Sequence, residues 1–300
     1  MRENILRILG KIEENNELNI KEINSVEYDD YIQKLIEYNV SESERVKSYL
    51  LVPKLNQNKY PAILAIHQHA GNWNVGKSEV VGLTNNEMYS YGLDLVKRGY
   101  IVIAPDIIGF EDRKGVGEYG ADREGQKAYE RFLFCDYLVH GSTLQAKTLH
   151  DLSVAIDVLY FFDCVDKSNI GAIGHSLGGQ ETVWIEWFDK RIKVGASSCG
   201  MSMIEDIIKN GILHNFYLYV PNMLNYCDMD EIVEEICKDR KLIISSGLKD
   251  EGHFPIEGIE KIENRNKGDN FTSIRFDDGH KFNDSEKETI YNYLDNILKQ

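Results

Sequence analysis

The sequence predicts an α/β fold, a mostly parallel central sheet with helices on both faces. Two observations carry this. Short apolar runs rich in β-branched residues alternate with longer stretches of helical period, as buried parallel strands do when crossover helices join them. The chain also has only five prolines, no tract rich in Pro, Gly or Ser, and no internal repeat. Nothing marks a linker, so residues 1–300 read as one domain.

The elements follow in order. Residues 1–24 are expected to form an added N-terminal helical extension. "YDDYIQKLIEYNV" and "SERVKSYLLVPK" alternate polar with apolar positions, an antiparallel pair at the sheet edge. Six runs then read as strands: "YPAILAIHQH" (60–69), "YIVIAPD" (100–106), "NIGAIGHS" (169–176), "IKVGASSCG" (192–200), "KLIISSGLKD" (241–250) and "FTSIRFDDGH" (271–280). Met88, Tyr91, Leu95 and Val96 share one helical face that ends at Gly99, and Leu149, Leu152, Ile156 and Leu159 mark another. The last helix, "SEKETIYNYLDNIL", opens with a candidate capping box of Ser285 and Glu288. Residues 111–148 and 201–240 break the alternation. They leave from strand ends, where open α/β sheets bind ligands, so they are expected to cover the pocket. Their aromatics, as in "HNFYLYVPNML", serve equally well to pack them onto the body.

The 34 basic and 49 acidic residues give a net charge of -15, which repels phosphate polymers and anionic lipid, so neither nucleic acid nor membrane is an expected partner. Five scattered cysteines without a C-x-x-C pair suit a reducing compartment, and the N-terminus interrupts its apolar residues with charge too often for a signal peptide. A soluble cytoplasmic protein is expected, with a homo-oligomer allowed.

The strongest local signal is "NIGAIGHSLGGQETVWIEWF". Gly174-His175-Ser176-Leu177-Gly178 spells G-x-S-x-G between an expected strand and an expected helix. A nucleophile on such a sharp turn forces the residues two before and two after it together, so both must be very small. Ser176 then projects above the sheet, with the Leu177 N–H facing the reacting carbonyl.

Serine needs a base to take its proton, and the base needs an acid to fix its tautomer. "KLIISSGLKDEGHFP" supplies Asp250 past one buried strand and "FTSIRFDDGHKF" supplies His280 past the next. Glu251 rivals Asp250 for the acid. His253 rivals His280 for the base, but it shares the acid's loop and is expected not to reach across to it. His175 is expected to pack beneath the elbow. His67-x-His69 would need a third ligand to make a zinc site, and no H-E-x-x-H or similar spacing provides one, so no metal and no cofactor are expected. Asp106 reads as a turn-stabilising carboxylate, and Asp112 with Arg113 as a local ion pair.

Over nearly its whole length from about residue 30, the chain resembles the α/β-hydrolase superfamily, and within it the dienelactone hydrolase and acetyl xylan esterase-like groups. The matching stretches are "AIHQHAG", "RGYIVIAPDIIGFEDR", "GHSLGGQE", "RIKVGASSCG", "SGLKDEGHFP" and "DDGHKF". The resemblance implies a Ser176–Asp250–His280 triad, a small-molecule ester substrate, and an oxyanion hole from the Leu177 N–H and an N–H in the loop after the third strand. Where relatives carry H-G-x, this chain has His67-Gln68-His69, so His69 is the positional match and Gln68 the alternative. Helical excursions over the site belong to the same implied fold.

Other functions compete. Peptidase and thioesterase activity would use the same triad, and a binding protein on an inactive scaffold would keep the fold. "AGNWNVGKSE" also spells a phosphate-binding loop, from Gly71 to Gly76-Lys77-Ser78. Such a loop must open directly into a helix whose N–H groups bind the anion, whereas turn formers soon follow here. Lys77 is therefore expected to have no chemical role, as a solvated charge or in a weak pair with a nearby acid.

Overall fold

The computed structural model describes residues 1–12, 17–250 and 252–300. After α1 (Arg2–Leu9), three strands, β1 (Lys21–Glu27), β2 (Tyr31–Asn39) and β3 (Arg45–Pro53), run antiparallel to their neighbours. The chain continues through β4 (Tyr60–Ile66), α2 (Lys77–Val80), α3 (Tyr91–Lys97), β5 (Ile101–Pro105), α4 (Arg123–Val139), α5 (Leu144–Phe161), β6 (Val165–His175) and α6 (Leu177–Phe188). It ends with β7 (Val194–Ser198), α7 (Ile204–Lys209), α8 (Met229–Ile236), β8 (Lys241–Gly247), α9 (Ile256–Arg265), β9 (Phe271–Phe276) and α10 (Asp284–Leu298). One sheet holds all these strands in the order β1-β2-β3-β5-β4-β6-β7-β8-β9, parallel from β5 to β9.

The central strands are apolar on both faces because both faces are covered. In β4, Ala62, Leu64 and Ile66 join one cluster with α5, α6 and α8, while Ile63 and Ala65 join a second with α3 and α10. Alternate Cβ atoms point to opposite faces, so one unbroken hydrophobic run feeds two cores. β1 lies beyond them. Every residue of it is exposed, and its register with β2 slips between Glu22 and Asn24.

Each of the six runs expected as strands contains one, and the expected antiparallel edge pair is β2 and β3. The N-terminus differs from expectation. Its helix stops at Leu9, before Gly10 at φ 87°, and residues 21–24, expected within the helical extension, open β1 instead; residues 13–16 lie outside those described. The loop expected after the third strand accordingly follows β4. The capping box of α10 is Asn283 with Glu286, two residues before the expected pair, because Asn283 is the extended residue whose side chain meets the first-turn N–H. No described helix is long and apolar enough to cross a membrane.

Candidate active site

β6 runs into α6 through Ser176, whose φ of 55° and ψ of -118° are strained for any residue with a Cβ. The glycines around it make this turn feasible. A Cβ on Gly174 would lie 2.2 Å from the carbonyl of Gly178, and one on Gly178 would lie 2.0 Å from the Ile66 oxygen at the end of β4. The Ser176 N–H donates to Ser198 O of β7 at 2.8 Å, which ties the elbow to the neighbouring strand.

Asp250 and His280 leave the ends of β8 and β9. His280 Nδ1 lies 2.6 Å from Asp250 Oδ2. Burial alone would raise the pKa of Asp250, but hydrogen bonds from His253 and His280 outweigh it and hold the carboxyl below its usual range. Ser176 and His280 line one cavity of about 390 Å³. No hydrogen bond joins Ser176 to His280 among the described residues, a closure that commonly awaits substrate.

His253 departs from expectation: it does reach the acid. Its Nδ1 lies 2.9 Å from Asp250 Oδ1, and its ring stacks on His280 with centroids 4.3 Å apart at 20°. The His253 and Phe254 N–H groups both donate to the Asp250 carbonyl, at 3.5 and 3.3 Å, which keeps His253 close to the carboxylate's free oxygen. The bond to Asp250 raises the His253 pKa. Glu251, the rival acid, lies outside the described residues. His175 packs beneath the elbow as expected, buried with Nδ1 3.0 Å from Ser198 Oγ, and burial first, then the neighbouring His280 and His253, keeps it neutral.

In the loop after β4 the side chains are fixed and the main chain is open. His69 Nε2 bonds Glu130 Oε2 at 2.8 Å, and its Nδ1 accepts from the Gly71 N–H at 3.0 Å. Burial opposes ionisation of Glu130, but His69, the Phe216 N–H and Trp73 together lower its pKa, so it receives the His69 proton as a carboxylate. Gln68 donates to Glu79 at 2.9 Å. Among the described residues, the backbone N–H groups of Gln68, His69 and Leu177 have no acceptor. Glu130 and Trp73 escaped the sequence reading, since 61 residues separate Glu130 from His69 and no local pattern links them.

Lys77 is buried, against expectation. Its Nζ lies 2.6 Å from Asp106, 2.7 Å from Glu111 and 2.9 Å from Asp112. Burial works against its charge, yet the three carboxylates raise its pKa above the ordinary value. Asp112 and Arg113 are not a pair. Asp112 turns to Lys77, and Arg113 to Glu44 and Asp151, because adjacent residues point in different directions.

Among the described residues, two groups of side chains have a metal-like arrangement. Asp106, Glu111 and Asp112 converge on the Lys77 ammonium, which fills their centre. Cys199, Asp250 and His280 offer ligand atoms within 4.8 Å of one another. Of these, Asp250 and His280 are bonded to each other at 2.6 Å, and burial first, then Asp250, pushes the Cys199 thiol up to about 12. His67 and His69 do not converge on a common point, since both nitrogens of each ring are already bonded.

No family model matches the chain. It is 28% identical over 265 residues to "Putative hydrolase YtaP" of Bacillus subtilis (strain 168), covering 87% of this chain and 84% of that protein. Among solved structures, a "putative acetyl xylan esterase" from Bacteroides fragilis NCTC 9343 superposes with a TM-score of 0.72 at 16% identity, over 92% of this chain and 73% of that one. The glucuronoyl esterase from Solibacter usitatus gives 0.68 at 16% identity, over 98% and 91%. The fold is that of the α/β-hydrolases. Within an α/β-hydrolase fold the elbow, the two carboxyl-end loops and the loop after β4 meet at one end of the parallel strands.

Proposed function

We propose that the chain hydrolyses carboxylic esters through an acyl-enzyme. Ser176 attacks the carbonyl and His280 takes its proton, then returns it to the leaving alcohol. Asp250 holds His280 by its Nδ1–H and stabilises the imidazolium that forms. His253 donates to the second oxygen of Asp250 and so fixes the carboxylate from its other side. The Leu177 N–H, with that of His69 or Gln68, receives the oxyanion, each donor typically contributing a few kcal/mol. A second acyl transfer, to water, frees the serine.

The observation that carries this reading is the strained Ser176, on the cavity that His280 also lines, with His280 bonded to a carboxylate held in ionised form. The named similarities to esterases and a hydrolase support the reaction class. The test is covalent. A fluorophosphonate should label the wild type at Ser176, and Ser176→Ala should lose both the label and p-nitrophenyl acetate hydrolysis, by about a thousandfold or more, with unfolding temperature unchanged. Labelling at another serine would overturn the assignment.

A further inference from the structure

The cavity at Ser176 differs in charge from the rest of the chain. Acids outnumber bases 49 to 34 overall. Yet among the described residues that line the cavity the one carboxylate is Glu130, already bonded by His69, Trp73 and the Phe216 N–H. Two cations face the same space, Arg123 and Lys127, four residues apart on α4. Neither has a carboxylate partner among the described residues. Among the described residues, eight of the chain's eleven arginines pair with Asp or Glu, and Arg123 is one of the three that do not.

Arg123 also touches the loop after β4. Its Nε donates to Gly71 O at 3.3 Å, and a Cβ on Gly71 would come within 2.9 Å of its guanidinium. The guanidinium therefore lies against the loop that carries the Gln68 and His69 N–H groups. For the helix alone this is a poor position. Arg123 is the first residue of the 17-residue α4, where free N–H groups favour an acid and disfavour a cation. A residue that breaks a local rule while facing a cavity calls for a ligand that offsets it. Ile212, Leu213 and Phe216 add apolar lining to the same cavity.

We propose that the substrate ester carries a carboxylate, which Arg123 and Lys127 bind while the ester group lies at Ser176. This rests on the ester-hydrolase reading and names the substrate class of that site. The guanidinium can meet a carboxylate with two parallel hydrogen bonds, and the ammonium adds a second positive charge. Both side chains are exposed at the cavity mouth, so the preference they confer weakens with salt.

Two matched substrate pairs test this and locate the charge. Mono-p-nitrophenyl glutarate against p-nitrophenyl valerate puts the carboxylate on the acyl side, and 4-acetoxybenzoate against 4-acetoxybenzamide puts it on the alcohol side. In at least one pair the anionic ester should have a kcat/KM about tenfold higher at low ionic strength, and the advantage should shrink at about 0.5 M salt. In the Arg123→Gln/Lys127→Gln double variant, the anionic-to-neutral ratio should fall by about tenfold, and Arg123→Lys should keep most of it. A preference for the neutral ester in both pairs, or a ratio unchanged in the double variant, overturns the proposal. Cleavage of all four esters without charge preference defeats this inference alone. Absence of both cleavage and Ser176 labelling defeats the hydrolase reading beneath it.

Discussion

Two loops leave adjacent parallel strands, each bracketed by glycines and each spelling a motif: Gly71 to Ser78 after β4, and Gly174 to Gly179 across the end of β6. In the first, the residue that would do chemistry, Lys77, is buried among three carboxylates. In the second, Ser176 is lifted into a cavity by backbone strain. The difference lies in where the polar group's partners are. Lys77 finds all of them inside the protein, so it welds β5's carboxyl-end loop to α2, and a phosphate would have to displace three anions from it. Ser176 spends its backbone on Ser198 and leaves its hydroxyl on the cavity wall.

Glycine substitutions break the comparison most sharply. Gly178→Ala forces a Cβ to 2.0 Å from a β4 carbonyl, a clash with backbone that nothing flexible can relieve. We expect a loss of about 4 kcal/mol or more and little folded protein in a urea titration. Gly71→Ala meets the movable end of Arg123 at 2.9 Å, and its φ of 60° costs about 1 kcal/mol. Equal losses at the two sites would mean that the elbow is no tighter than the first loop.

Lys77→Met comes next. Removing this buried cation strands Asp106 and Glu111 and leaves Asp112 with Lys47 at 3.6 Å, and breaking a buried pair from one side typically costs about 3 kcal/mol. Chemical denaturation should show that loss, while ester turnover per folded molecule stays within a few-fold. Millimolar ATP with magnesium should leave the wild-type melting temperature where it was; a rise that disappears in Lys77→Met would make the first loop a phosphate site after all.

The smallest effect concerns Glu181, five residues after Ser176 on α6. It is fully buried, and its partners are the neutral amides of Gln145 and Gln180 rather than a cation. Burial pushes its pKa up to about 8. A raised carboxyl pKa contributes stability that is fully present below the unfolded value of about 4.5 and is lost as pH rises towards the folded one. Glu181→Gln should therefore gain on the wild type between pH 5 and about 8, by on the order of 2 kcal/mol, read from paired melting curves. A constant difference across that range would mean that Glu181 is ionised where it lies.

What could be read from the sequence follows from what burial does to composition. β4 to β8 must be apolar on both faces, so runs such as "AILAI" announce themselves, and the elbow announces itself because sterics admit only glycine at 174 and 178. β1 is exposed at every position and carries no such signature, and its first four residues fall within the expected helical extension of residues 1–24. Partners are the other blind spot. Asp112 and Arg113 are neighbours in sequence that turn to Lys77 and to Glu44 and Asp151. His253, expected to fall short of Asp250, reaches it by a turn, and Glu130 reaches His69 across 61 residues. Hydropathy records which side of the surface a residue takes, whereas a long-range contact depends on how loops close and leaves no trace in spacing.

The slip between Glu22 and Asn24 has a consequence for how copies of this chain meet. β1 is an outermost strand, solvated on both sides, and a regular outermost strand is a template on which a second molecule can add its own, and a third after it. The bulge interrupts the even spacing of N–H and C=O groups that such growth requires, and Lys21, Glu22 and Glu27 set charges along the same short ribbon. The irregularity that makes this strand hard to recognise also makes its edge a poor template for a second molecule.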